Sequence, residues 1–111
     1  MIKIYQEDPQ NVLLTLQIKD ANMGHADAFK AELINIFDKH QRKRLIINME
    51  QVQYIDSSFL GALVAALKYV ISFQSDVILV GMRKDILNLF ALIRLDKVFK
   101  IYDNFNDALA Q

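Results

Sequence analysis

Asp56, Ser57 and Ser58 stand directly before a long apolar run and are the residues of this sequence best suited to chemistry. Asp and Ser are favoured at helix N-caps, where side-chain oxygens accept hydrogen bonds from free backbone N–H groups. A seryl hydroxyl there is also a candidate for phosphorylation, because a phosphate would meet those N–H groups and the positive end of the helix dipole. It would add about −1.5 to −2 charge at one surface point. The residues alone leave both interpretations open, a helix cap and a phosphorylation site.

The helix predicted to follow, roughly Ser57 to Phe73, is apolar over more of its circumference than one sheet contact requires. At 100° per residue, a broad face expected to pack on a sheet comprises Leu60, Leu63, Val64, Leu67, Val70 and Ile71. A second stripe beside it comprises Phe59, Ala62, Ala66, Tyr69 and Phe73. Only Gly61, Lys68 and Ser72 mark a polar side. The second stripe either packs on a neighbouring helix or forms a partner-docking surface whose upper end lies beside Ser57.

Other titratable groups favour structural roles. His25 and Asp27 have no third ligand at metal spacing, so we predict no metal site and no cofactor. No Gly-rich phosphate loop or nucleophile elbow occurs. Neither His25 nor His40 is placed to activate Ser57, so no catalytic residue is predicted. A basic cluster suits the end of the first predicted helix, and its residues are Lys39, His40, Arg42, Lys43 and Arg44.

The composition of the 111 residues excludes several classes of protein. Thirteen Lys and Arg balance thirteen Asp and Glu, which argues against a dedicated nucleic-acid binder. The absence of cysteine excludes disulfides and thiolate zinc sites. The longest apolar stretch falls short of the about 20 residues that span a bilayer. We therefore expect one cytoplasmic domain over residues 1–111 without nucleic-acid or membrane partners. Zero net charge gives little protection against association, so a weak homodimer is an open alternative.

Hydrophobic periodicity predicts alternating strands and helices. Alternation in Ile2–Tyr5 and Leu13–Ile18 indicates two half-buried strands joined by a turn. Continuous apolar runs at Leu45–Met49 and Val77–Val80 indicate central parallel strands, linked through the long helix as a right-handed crossover. The remaining predicted elements are a helix from Gly24 to about His40, a helix at Asp85–Ile93, a strand at Phe99–Tyr102 and a helix at Asn104–Ala110. The predicted fold class is α/β, with a mixed sheet of parallel centre and antiparallel edge strand layered with about four helices.

Two stretches resemble one known family. Residues 45–61, with a buried strand followed by Ile55-Asp56-Ser57-Ser58-Phe59-Leu60-Gly61, resemble the signature of STAS domains. They look most like the bacterial anti-sigma factor antagonists, whose pattern is D-S-S/T-G-L-G. The stretch from Leu95 to Tyr102, followed by Asp107-Ala108-Leu109, is similar to the family's closing L-D-x-x-F-x-I-Y segment and terminal helix.

The resemblance implies a regulatory protein without catalytic activity. Family members bind a serine-kinase anti-sigma factor and so release a sigma factor. The kinase uses ATP and Mg²⁺ to phosphorylate the first Ser after the Asp, and a PP2C-type phosphatase reverses this. Carried over, Ser57 is the phosphoacceptor, flanked by Asp56 and Ser58. The residues expected to contact the partner are Phe59, Leu60, Ala62, Ala66, Tyr69 and Asn22.

Two positions differ from the family pattern. Phe59 stands where the family has Gly, and Asn22 stands where the family's G-x-L-D segment has Asp, unless Asp20 takes that place. The sequence leaves two alternatives open. One is a STAS interaction module outside sigma control, a scaffold or transport-complex subunit in which Ser57 only caps a helix. The other is a small hydrolase with Ser57 as its nucleophile.

Overall fold

The computed structural model describes residues 1–110. Its strands are β1 (Ile2–Glu7), β2 (Asn11–Leu16), β3 (Asp20–Ala21), β4 (Arg44–Asn48), β5 (Tyr54–Ile55), β6 (Val77–Val80) and β7 (Lys100–Tyr102). Its helices are α1 (Met23–Lys39), α2 (Ser57–Ile71), α3 (Lys84–Leu92) and α4 (Phe105–Leu109), with a 3-10 turn at Leu95–Lys97.

The main sheet has five strands in the order β1-β2-β4-β6-β7. Strand β1 is antiparallel to β2, and the other neighbours are parallel. The three central strands β2, β4 and β6 are almost wholly buried, which explains their continuous apolar sequences. The predicted mixed sheet with a parallel centre and an antiparallel edge is confirmed.

The sheet separates two unequal hydrophobic layers. The larger one joins α1, α2 and α3 to one face of the sheet and contains four fully buried phenylalanines, Phe29, Phe37, Phe59 and Phe90. The smaller one lies on the opposite face, under α4, and consists of Leu13, Ile46, Ile78, Val80 and Ala108. Full burial of an aliphatic side chain contributes about 1.5–3 kcal/mol, so the three-helix layer supplies most of the stabilisation.

The second apolar stripe of α2 packs against α1. Phe59 and Ala66 are fully buried, and the Phe59 ring centroid lies 4.5 Å from that of Phe29. The expectation that Phe59 and Ala66 form part of an exposed docking face is therefore wrong, because α1 covers them. Ile71 also departs from the expected sheet-facing set, since it ends α2 and is 51% exposed.

A cluster of hydrogen bonds joins the C-terminal ends of α1 and α2. The Tyr69 hydroxyl donates to the Asp38 carboxylate at 2.9 Å, and this hydrogen bond raises the pKa of Tyr69. Arg42 Nε donates to the same carboxylate at 3.1 Å, and its guanidinium lies 3.8 Å from the Phe73 ring centroid. Elsewhere in the basic cluster, Lys43 Nζ donates to Glu7 at 2.7 Å. These contacts support the predicted structural role of the basic cluster.

Candidate functional site

A two-stranded sheet that periodicity did not predict positions the candidate site. Strands β3 and β5 are parallel, with Ala21 paired to Ile55, and the Asp56 N–H donates to the Ala21 carbonyl at 3.0 Å. Because the carboxyl ends of parallel strands meet at one edge, α1 and α2 begin side by side there. Residues Asn22 and Asp56 are the N-caps of these two helices.

The Asp56 carboxylate links the first turns of both helices. Oδ1 accepts the Phe59 N–H at 2.9 Å, which is the N-cap bond of α2. Oδ2 accepts the Met23 N–H at 2.8 Å, and Met23 is the first residue of α1. The capping interpretation of Asp56 is confirmed, and this one side chain also satisfies a free N–H of α1.

Asn22 caps α1 in its own right. Its Oδ1 accepts the Gly24 N–H at 2.8 Å, and its backbone is extended, as N-cap residues usually are. A Cβ at position 24 would lie only 3.0 Å from that oxygen, so glycine suits the turn. Asn and Asp are similarly effective N-caps. The family's Asp could therefore be replaced without loss of the cap, while one negative charge beside Asp56 is removed.

Ser57 and Ser58 are both exposed at the start of α2, but they face different depressions. Ser57 lies at one end of a groove of about 500 Å³ between α2 and the segment that follows α3. Lys68 is at the other end of this α2–α3 groove, and its apolar lining comprises Leu60, Gly61, Val64, Ala65, Ile93 and Leu95. Ser58 instead lines a cleft of about 650 Å³ between α1 and α2, together with Met23, Lys30 and Ala62.

The geometry around Ser57 shows no histidine bonded to its hydroxyl within residues 1–110, as a catalytic nucleophile would require. His40 follows the last residue of α1, and its Nδ1 lies 3.0 Å from Glu7 Oε1. Ser57 lies beside the opposite, N-terminal end of α1, so His40 is remote from it. His25 is exposed in the first turn of α1. Within residues 1–110, no three His, Asp or Glu side chains are grouped to hold a metal ion. What remains is an exposed hydroxyl whose backbone is fixed by the Asp56 cap.

Comparison with known proteins assigns the family. The sequence profile of the STAS domain matches residues 4–108. The chain belongs to the STAS domain family. A Thermotoga neapolitana protein named as a candidate anti-sigma factor antagonist is 28% identical over 102 residues, spanning 92% of this chain and 90% of that protein. The anti-sigma-B factor antagonist of Listeria monocytogenes is 26% identical over 100 residues, spanning 79% and 88% respectively.

Solved structures agree on the STAS fold. The crystal structure of a candidate anti-sigma factor antagonist from Thermotoga maritima superposes with a TM-score of 0.81 at 29% identity, covering 99% of this chain and 91% of that one. Part of the murine anion transporter Slc26a9 superposes with a TM-score of 0.79 at 15% identity, covering 95% of this chain and 18% of that one. At such low identity, the transporter shows the fold alone.

Among residues 1–110, no helix combines the length and the apolar character needed to cross a bilayer.

Sequence reasoning missed the far wall of the α2–α3 groove. Ile93 and Leu95 come from the end of α3 and the turn after it. The sequence feature that could have indicated them is the apolar pair Leu92–Ile93 at the end of α3. Both residues are exposed in the structure. The sequence shows that Ile93 and Leu95 are apolar, but only the fold shows that they line the same groove as Ser57.

Proposed function

We propose that this STAS protein is an anti-sigma factor antagonist whose partner binding is switched by phosphorylation of Ser57. Its partner in this proposal is a serine-kinase anti-sigma factor, and a PP2C-type phosphatase restores the hydroxyl. The observation that carries the proposal is an exposed Ser57 hydroxyl next in sequence to Asp56, whose carboxylate accepts backbone N–H groups from the first turns of α1 and α2. The relatives named as anti-sigma factor antagonists support the same assignment.

Phosphorylation at this point would change the surface and leave the fold in place. Ser57 is the first residue of α2, where a phosphate is stabilised by the helix dipole. The added charge would stand at the mouth of the mainly apolar α2–α3 groove, beside the Asp56 carboxylate. A partner seated in the groove would meet like charge and a costly desolvation, so the complex would dissociate. Leu60 lines this groove, and Ala62, Tyr69 and Asn22, which lie outside it, stay proposed as further partner contacts.

Site-resolved phosphorylation tests this proposal. The protein is incubated with ATP, Mg²⁺ and the serine-kinase anti-sigma factor encoded in the same genome, and intact mass is measured. Wild type and Ser58→Ala are expected to gain one phosphate, whereas Ser57→Ala gains none. Ser58→Ala is a matched control, because both hydroxyls are exposed in the first turn of α2. Phosphate on Ser57→Ala refutes the site, and an unmodified wild type refutes the switch.

A STAS interaction module outside sigma control is the second candidate, because the family profile that matches residues 4–108 is that of the STAS domain in general. In that case Ser57 would only begin a helix. Partner binding would then persist in Ser57→Asp, whose carboxylate should weaken the switched complex. A hydrolytic role predicts turnover of simple esters that disappears in Ser57→Ala, and we expect no such turnover.

A further inference from the structure

Gly61 occupies a place in α2 where the fold has no use for a glycine. A Cβ added there meets no atom within 4 Å, and Gly61 is not among the glycines with positive φ. Gly81, in contrast, has φ of +70° and would bring a Cβ to 2.8 Å from Asn48 Oδ1. Glycine in a helix interior is less stable than alanine. No contact in the described part of the chain requires a glycine at position 61, so the bare helix backbone there is open to approach from outside.

The α2–α3 groove adjoins this bare stretch of helix. Gly61 and Ala65 lie one turn apart on α2, between this groove and the α1–α2 cleft, and Ile93 forms part of the groove's other wall. Ile93 is 43% exposed although it is a large apolar residue, and the adjacent Leu92, which does not line the groove, is 79% exposed. Contiguous exposed apolar surface with a polar rim is typical of protein interaction sites.

Beyond the Ser57 end of the groove, where the Asp56 carboxylate accepts two backbone N–H groups, the charged side chains at the rim are cations. Lys68 lines the groove, and the exposed Arg94 lies between two of its lining residues, Ile93 and Leu95. Over residues 1–110, neither cation belongs to any of the five ion pairs. No acidic side chain lines the groove, and Asp96 lines a different depression beside β7. An occupant with acidic side chains would therefore complement the rim.

We propose that the α2–α3 groove binds an acidic amphipathic α-helix of a partner protein, packed across Gly61. Missing side-chain volume at Gly61 and Ala65 lets two helix backbones approach closely, toward the lower end of the 8–10 Å range of packed helices. From Ser57 to Lys68 the groove runs about 16 Å, which is about three helical turns. A lipid surface fits less well, because Gly61 has no side chain that could insert into it.

The binding of an acidic helix in the α2–α3 groove rests on the proposed function in one respect, the identification of the partner as the serine-kinase anti-sigma factor. With an acidic helix in the groove, a phosphate on Ser57 stands at the end of a negatively charged ligand. Like-charge repulsion then adds to the desolvation penalty. An acidic partner helix would therefore be released more strongly by phosphorylation of Ser57 than a neutral one.

The test is a titration of the full chain with two synthetic peptides, followed by amide chemical shifts. The probe is an amphipathic helix of about three to four turns with Leu on one face and Glu on its flanks. The matched control has Lys in place of every Glu. We expect the acidic peptide to shift residues 60–68 and 92–95 selectively, and the basic peptide to bind at least about tenfold more weakly. The charge-reversed variants Lys68→Glu and Arg94→Glu should each lose about tenfold, and Lys3→Glu, on the exposed edge strand β1, should bind as wild type.

Gly61→Ala separates a docking role from a structural one. The new Cβ enters open space, so the Tm should rise by about 2–6 °C. Affinity for the acidic peptide should fall about fivefold or more, because the methyl group blocks close approach. A structural role would not change stability and binding in opposite directions.

Each contrary outcome overturns the proposal. These outcomes are no shifts with the acidic peptide, equal affinity for both peptides, and wild-type affinity in Gly61→Ala. Shifts of the same residues on concentrating the protein alone would assign the groove to a second copy of the chain. Shifts produced by anionic phospholipid vesicles and not by the peptide would assign it to a membrane. The peptides report on the groove and the kinase assay reports on Ser57, so the two proposals fail separately.

Discussion

Removing the hydrogen bond between the Met23 N–H and the Asp56 carboxylate tests whether one side chain ties α1 to α2. The bond is 2.8 Å long and joins residues 33 apart in sequence. Met23→Pro deletes the N–H without breaking α1, because proline is favoured at the first helical position. Asn22, the residue before it, already has the extended backbone that a following proline requires. Asp56→Ala removes the acceptor.

The expected magnitudes follow from the geometry. Asp56→Ala loses an N-cap, about 1 kcal/mol, and the tie to α1. Hydrogen bonds to charged groups contribute about 1.5–3 kcal/mol, but this bond is solvent-exposed, so about 1 kcal/mol is expected for the tie. Asp56→Ala should therefore lower the free energy of unfolding by about 2 kcal/mol, and Met23→Pro by about 1 kcal/mol.

The assay is a double-mutant cycle in urea at constant pH. Because both single substitutions break the same bond, the double variant should be about 1 kcal/mol more stable than the sum of the two effects predicts. Met23→Ala is the matched control, since it keeps the N–H and removes a side chain that is 73% exposed. Its stability should equal that of wild type. Additive effects in the cycle, or a Met23→Pro variant as damaged as Asp56→Ala, would refute the tie.

Three further predictions concern the fold around the site. Phe59→Ala should destabilise the protein by about 3–5 kcal/mol in urea unfolding, because the ring is fully buried against Phe29; a loss below about 1 kcal/mol would contradict the packing. Gly81→Ala should cost about 1–2 kcal/mol, since φ there is +70°, and an unchanged midpoint would show that the turn is not strained. Hydrogen bonding to Lys43, more than to His40, lowers the pKa of Glu7 below 4.5. The stability that the ionised Glu7 carboxylate contributes is therefore present above pH 4.5 and is lost as the pH falls through the lowered pKa. Wild type and Glu7→Gln should thus differ most near neutral pH and converge in acid, and a constant difference between them would exclude this linkage.

Much of the fold follows from apolar spacing alone. The stripe of Ala26, Phe29, Leu33, Ile36 and Phe37 predicts α1 within a residue of its observed ends, and all of its members except the half-buried Ile36 are buried. The continuous runs of β4 and β6 predict central strands, because both faces of such strands are covered. By contrast, β3 and β5 have two residues each, too few to show any period. The arrangement that brings the two caps together therefore could not be predicted.

The candidate site was predicted only in part for a related reason. Helical spacing correctly groups Phe59 with Ala66 on one stripe of α2, but it does not say what covers that stripe. The neighbouring α1 covers it, so these residues belong to the core. The surface beside Ser57 is completed instead by Ile93 and Leu95, which are distant in sequence.

The affinity of the serine-kinase anti-sigma factor for the phosphorylated and unphosphorylated protein tests the central claim most directly. Phosphoserine is incorporated at position 57 or, as a control, at position 58, and binding is measured by calorimetry. The account predicts that phosphate at 57 weakens binding at least about tenfold, with a smaller effect at 58, which faces the α1–α2 cleft. Equal affinity of the unmodified protein and the protein phosphorylated at 57 would contradict it.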